Sequence, residues 1–159
     1  MTSPIGDVVV CDASPLIILA RVDQLSLLSR LFRDVFVPPA VWSEATCDPK
    51  AAGAATILAS SWIKVRAPRV VPPSTLGLGE REAMGLAAEL HAVLVVDDGG
   101  ARAAALAMGI KITGTLGVLR RAKRERMIAE VRPVIERMRE NGLRVADELV
   151  AAILADAGE

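Results

Sequence analysis

The sequence predicts an α/β fold with a mainly parallel sheet and helices on both faces. Three observations lead there. Two short runs, VVVC at Val8–Cys11 and AVLVV at Ala92–Val96, are apolar at consecutive positions, as strands buried on both faces must be. Each run is followed at once by an aspartate and then by a helical pattern. Strand-like and helix-like segments alternate along the chain, the signature of repeated βα units.

The elements follow in order. Val8–Cys11 is the first strand. Ser14–Pro15 starts a helix, Ser as N-cap and Pro in the first turn, which continues as PLIILARV. Leu25–Phe32 is a second helix. Val35–Val37 is a strand stopped by Pro38 and Pro39, and Pro39 suits the first turn of a helix over Ala40–Ala45. Ala-rich Ala51–Ser60 reads as helix and alternating Trp62–Val65 as strand. RAPRVVPPSTLGLG, with its prolines and glycines, reads as a loop. Glu80–Leu90 has apolar residues at helical spacing and leads into the strand Ala92–Val96. DDGG ends that strand as a loop loosened by Gly99 and Gly100. Ala101–Met108 is helical, IKIT a short strand, and Gly114–Thr115 opens a helix through Lys123. Met127–Met138 and Asp147–Leu154 carry amphipathic spacing around Asn141–Gly142, a C-terminal helical appendage without a new strand.

The chain has 159 residues, within the range of one domain, and 52% are apolar, enough to bury a core. Nineteen basic and nineteen acidic residues cancel, so attraction to nucleic acid must come from a local patch. Two distant cysteines and one histidine form neither a disulfide framework nor a zinc site, and predict a reducing, cytoplasmic setting. No basic region precedes the first apolar run, and no uncharged apolar stretch reaches the roughly 18 residues of a membrane span.

In open parallel sheets, sites form outside the carboxyl ends of the strands. Asp12 stands at such an end, and Asp97 and Asp98 at another. Glu44 lies on the first turns after Pro39, and Glu80 opens the helix before the Ala92–Val96 strand. Asp12, Glu44, Glu80 and Asp98 can therefore converge on one edge. Without a cation they repel one another. Mg²⁺ or Mn²⁺, which prefers carboxylates and water, relieves that repulsion. Plainer roles exist for each: loop solvation for Asp12, an exposed helix position for Glu44, the helix dipole for Glu80 with Glu82 as its substitute, and an N-cap for Asp98. Asp98 is preferred to Asp97 because it lies one step beyond the strand, where Gly99 lets the chain turn. Cys11 reads as a core residue, His91 as a helix C-terminal residue, and Trp42 and Trp62 as core or interface. Ser14 is also placed to touch phosphate.

Rival acid-at-strand-end chemistries fit less well. A haloacid-dehalogenase-type phosphatase needs a second Asp where Ser14 stands, and a response-regulator receiver needs an Asp that WIKVRA lacks. Neither GxGxxG nor GxxxxGK[ST] occurs.

The segments VVVCDASPLI, VFVPPAVWSEA, LGLGEREAMGLA, VLVVDDGGAR and GIKITGTLGVLRRAK, in this order, resemble the PIN-domain nucleases, in a prokaryotic branch related to VapC-like toxins. RPVIERMRENGLRVADELVAAILADAGE extends the resemblance over nearly the whole chain. It implies a three-layer α/β/α sandwich and an acidic pocket for Mg²⁺ or Mn²⁺, with Asp12, Glu44, Glu80 and Asp98 as its four acids. Gly99–Gly100 depart from the basic or bulky residue many relatives carry there. The division expected is a nuclease domain over 1–126 and a helical hairpin over 127–159 packed on it.

The activity this implies is metal-dependent hydrolysis of RNA, single-stranded or structured, as the toxin of a toxin–antitoxin pair. The alternative is a catalytically weak binding or regulatory module. Arg120, Arg121 and Lys123, in the basic run RRAKRER, and Arg102 are the candidates for backbone contact, against the plainer reading of a solvated helix. The hairpin either caps the core or offers a surface to a second copy, as a homodimer, or to an antitoxin. No membrane association is expected.

Overall fold

The structure, a computed structural model, describes residues 8–159. The expectations that touch residues 1–7, the lack of a leader segment and the start of the 1–126 domain, lie outside the described residues. Among the described residues five strands form one sheet: β1 (Val8–Cys11), β2 (Asp34–Val37), β3 (Ile63–Val65), β4 (Val93–Val95) and β5 (Ile112–Thr113). Their order is β3-β2-β1-β4-β5 and every pairing is parallel. The helices are α1 (Ala13–Arg21), α2 (Ser26–Leu31), α3 (Pro39–Thr46), α4 (Ala54–Ala59), α5 (Leu78–Leu90), α6 (Gly99–Ala107), α7 (Thr115–Arg124), α8 (Arg132–Glu140) and α9 (Asp147–Asp156). Val9, Val10 and Cys11 are fully buried. Successive strand residues point to opposite faces, so β1 is covered on both, as the middle of a three-layer α/β/α sandwich requires.

The chain runs from β1 outward to β2 and β3, then crosses back to β4 on the other side of β1. The point where this progression reverses lies between β1 and β4, and a crevice opens there at the carboxyl ends. The register, Val9 against Val93 and Cys11 against Val95, brings Asp12 and Asp97 out at the same edge. The Asp12 N–H continues the ladder by donating to Val95 O at 3.0 Å.

Several local expectations are corrected. Asp12, not Ser14, is the residue before the first turn of α1, because the helix begins directly after the strand; Ser14 lies exposed inside that turn. Gly99 and Gly100 are the first turn of α6 rather than a loose loop, since Asp98 caps the helix ahead of them. The first C-terminal helix starts at Arg132, not Met127. Pro133 lacks an N–H and suits only a first turn, and Arg126 adopts φ +62° at the break. The 51–60 helix contracts to α4 because Gly53, at φ +89°, turns the chain ahead of it.

The C-terminal helices share the main core. Val131, Val134, Ile135, Met138, Ile153 and Leu154 are buried in the same apolar cluster as β1 and β4. Glu159 fastens this region: its carboxylate accepts from Lys123 Nζ at 2.8 Å and from the N–H groups of Val131 and Arg132 at 2.7 and 3.0 Å. The proline-rich segment before α5 is equally ordered. Glu89 accepts from the Arg69 N–H and the Arg66 guanidinium, and the segment passes so close to α5 that a Cβ on Gly85 would stand 2.2 Å from Val70 O. That contact sets the position of α5, and with it Glu80.

Candidate functional site

The edge between β1 and β4 gathers acids from four elements. Asp12 leaves β1, Asp97 and Asp98 leave β4, Glu44 comes from α3 and Glu80 from the first turn of α5. Two contacts couple α3 to α5. Glu82 accepts the Ala40 N–H at 3.0 Å, satisfying one of the free donors at the start of α3. The Glu44 carboxylate and Val41 lie over Gly79, each 3.5 Å from where a Cβ would be. Glu82 is thus a tie between helices and Glu80 the acid at the edge.

Asp12 is 6% exposed, and among the described residues no side chain hydrogen-bonds it. Burial raises its pKa to about 6; the adjacent Ala13 N–H opposes this, while Glu80, Glu44 and Asp97 add to it. Burial also raises Glu80, helped by Asp98 and Glu44, and among the described residues its buried Oε2 has no hydrogen-bond partner. Asp97 is anchored: both carboxylate oxygens accept from Thr115, one from the N–H at 2.8 Å and one from the hydroxyl at 2.5 Å. This approach requires Gly114, since a Cβ there would stand 2.8 Å from Asp97 Oδ1. Asp98 Oδ2 accepts the Ala101 N–H at 2.9 Å as the α6 N-cap, and its charge also reaches Glu80.

The four sequence candidates therefore share one edge, and Asp97 joins them. Sequence reasoning missed Thr115 and Gly114 as parts of the site. The signal was present: β5 ends at Thr113, so Gly114 and Thr115 leave the sheet at the same edge as Asp97. Cys11, fully buried, is inert; burial and the charges of Asp12 and Asp97 push its thiol well above its usual range.

The cationic candidates are dispersed. Arg102 donates to Val96 O at 2.8 Å beside Asp97. Arg120 lines the same groove as Asp97 and pairs with Asp156 at 3.4 Å. Arg121 points elsewhere, donating to Leu31 O and lying over the Phe32 ring. Lys123 is held by Glu159. Ser14 stands exposed in a groove shared with Asp97 and Asp98.

The donors at the edge are carboxylate oxygens, which suit a hard divalent cation. A buried Asp12 without a side-chain partner and an orphaned Glu80 oxygen are groups that such an ion would satisfy. Among the described residues no three acidic, histidine or cysteine side chains stand close enough together to hold an ion as placed.

The family model DUF3368, a PIN domain, matches residues 8–159. The chain belongs to this PIN-domain family. Its fold is similar to that of a PilT N-terminus domain protein from the hyperthermophilic archaeon Sulfolobus solfataricus P2, at 20% identity and a TM-score of 0.54, over 70% of this chain and 89% of that one. No curated protein matches. PIN domains are generally nucleases and typically use divalent metal ions. Among the described residues of this PIN domain, no helix is long and apolar enough to cross a membrane.

Proposed function

We propose that this PIN domain is a metal-dependent endoribonuclease. The observation that carries the proposal is the convergence of five carboxylates at the reversal point of a parallel sheet, with Asp12 buried among them and, among the described residues, hydrogen-bonded by no side chain. Asp12, Glu44, Glu80 and Asp98, with Asp97, are the residues that would hold Mg²⁺ or Mn²⁺. When bound, the ion supplies an acidified water and positive charge against the phosphate.

The chain's own part is positional. Asp12 is fixed by the β1–β4 ladder, Glu44 and Glu80 by the Glu82 tie between α3 and α5, and Asp97 by Thr115. No protein nucleophile is required, consistent with the inert Cys11. Arg102 and Arg120 flank the edge as candidates for phosphate contact.

The test is cleavage of single-stranded and structured RNA in Mn²⁺ and Mg²⁺, with and without EDTA, beside Asp12→Asn. Cleavage that EDTA and Asp12→Asn both abolish supports the proposal. RNA binding without cleavage in either metal would replace it with a binding or regulatory module. The narrower reading, a toxin neutralised by an antitoxin, rests on the resemblance to VapC-like toxins; growth arrest on expression, lost in Asp12→Asn, is its test. A homodimer is part of the same proposal and is read by light scattering.

A further inference from the structure

The linker between α8 and α9, residues 141–146, is not a loose turn. At its start, Arg21 Nη1 donates to Asn141 O at 3.2 Å, while Arg21 Nε donates to Ala52 O at 3.4 Å. Gly142 turns the chain at φ +103°. Leu143 packs against the core. At its end, Arg139 Nη2 donates to Val145 O at 3.0 Å and to Asp147 at 2.9 Å. Two arginines thus clamp the strap at both ends by its carbonyls.

The strap runs between two grooves of about 500 and 550 Å³, and Asp97, Leu143 and Arg144 line both. One groove adds Arg102, Thr115 and Arg120; the other adds Ser14, Arg21 and Asp98. Arg144 is exposed, and among the described residues it has no hydrogen-bond or ion-pair partner. The neighbouring cations already hold internal partners, Arg21 and Arg102 through carbonyls and Arg120 through Asp156, so each meets phosphate only with its remaining donors, whereas Arg144 offers its whole guanidinium.

A phosphodiester strand approaching this edge meets five carboxylates on a chain with no net charge. It needs a cation beside the acids that is not already engaged, and a guanidinium is suited to grip phosphate oxygens in pairs. We infer that Arg144, presented by the clamped 141–146 strap, contacts a backbone phosphate of the bound RNA strand next to the one being hydrolysed. The C-terminal helices then complete the substrate site as well as the core. This rests on the ribonuclease reading above.

The experiment compares wild type, Arg144→Ala, Arg144→Lys and, as a remote charge control, Lys111→Ala, on a single-stranded RNA oligonucleotide in Mn²⁺. Arg144→Ala is expected to raise KM about tenfold with kcat nearly unchanged, and to flatten the log–log salt dependence of RNA affinity by about 0.7, the contribution of one single-strand phosphate contact. Arg144→Lys should restore the salt slope and part of KM, and Lys111→Ala should match wild type. Mn²⁺ affinity without RNA and Tm should be the same in Arg144→Ala as in wild type. Unchanged KM and salt slope in Arg144→Ala, with wild type still cleaving, overturns the contact and leaves the ribonuclease reading intact. Loss of Mn²⁺ affinity or of Tm in that variant also overturns it, by assigning Arg144 to the acids or the fold. A wild type that neither cleaves nor binds the oligonucleotide removes the ribonuclease reading itself, and the inference with it.

Discussion

Thr115 holds Asp97 by two hydrogen bonds, from its N–H at 2.8 Å and its hydroxyl at 2.5 Å, across 18 residues of sequence. The pair orients a carboxylate whose charge reaches Asp12. Thr115→Val keeps the N–H and the shape but deletes the hydroxyl. It is expected to weaken Mn²⁺ binding by about tenfold, the lower range for losing a group that orients a ligand. Calorimetric titration with Mn²⁺ reads this, and wild-type affinity in the variant would remove Asp97 from the site.

Asp98 has two separable roles, charge toward Glu80 and N-cap of α6. Asn caps a helix about as well as Asp, whereas Ala does not. Asp98→Asn should therefore cut the metal-dependent rate by ~100-fold with little change in stability, the scale of a mispositioned metal. Asp98→Ala should lose the same rate and about 1 kcal/mol of stability besides. Equal rates in wild type and Asp98→Asn would leave Asp98 as a cap alone.

Asp12 carries a pH signature in the metal-free protein. Its folded pKa of about 6 stands above the usual 3.8, so the fold favours the protonated form. The contribution of this group to stability is then greatest at low pH and declines as pH rises from about 4 through about 6, by up to the order of 3 kcal/mol. Asp12→Asn should match wild type near pH 4 and melt higher than wild type at pH 8. Mn²⁺ should raise the wild-type Tm at pH 8 and leave the variant's unchanged. A pH-independent difference between the two proteins would contradict this.

Glu159 shifts the other way. Burial opposes its charge, but Lys123 and the Val131 and Arg132 N–H groups prevail and bring its pKa from 4.5 to about 2. The stabilisation is present above about pH 4.5 and is lost as pH falls toward 2. Glu159→Gln should lower Tm at pH 7, and the gap to wild type should close across that acid window. A gap that persists at pH 2 would assign the loss to packing.

Much of the fold is legible locally. The runs Val8–Cys11 and Ala92–Val96 identify the two central strands because no polar position interrupts them, and Pro39 and Pro15 place helix starts through the one backbone feature proline imposes. Asp12 stands out as a candidate for the same reason: a charge ending a buried strand needs a use. The ends of elements were less legible. Ser14 looked like an N-cap by residue type, yet cap position follows from where the β1 ladder to Val95 stops, which is a contact with a distant strand.

The sequence by itself determined which segments are strands, which acids stand at their carboxyl ends, and that helices alternate with them, since these follow from side-chain pattern over a few neighbouring residues. The tertiary structure alone decided that Glu82 ties α3 to α5 while Glu80 faces the acids, that Asp97 is held by Thr115, that Arg121 and Lys123 turn to internal partners, and that Arg144 reaches the same edge from the C-terminal strap. Each of these depends on strand order and helix packing, which join residues far apart in the chain, and no local periodicity encodes which of two similar side chains will meet a partner across that distance.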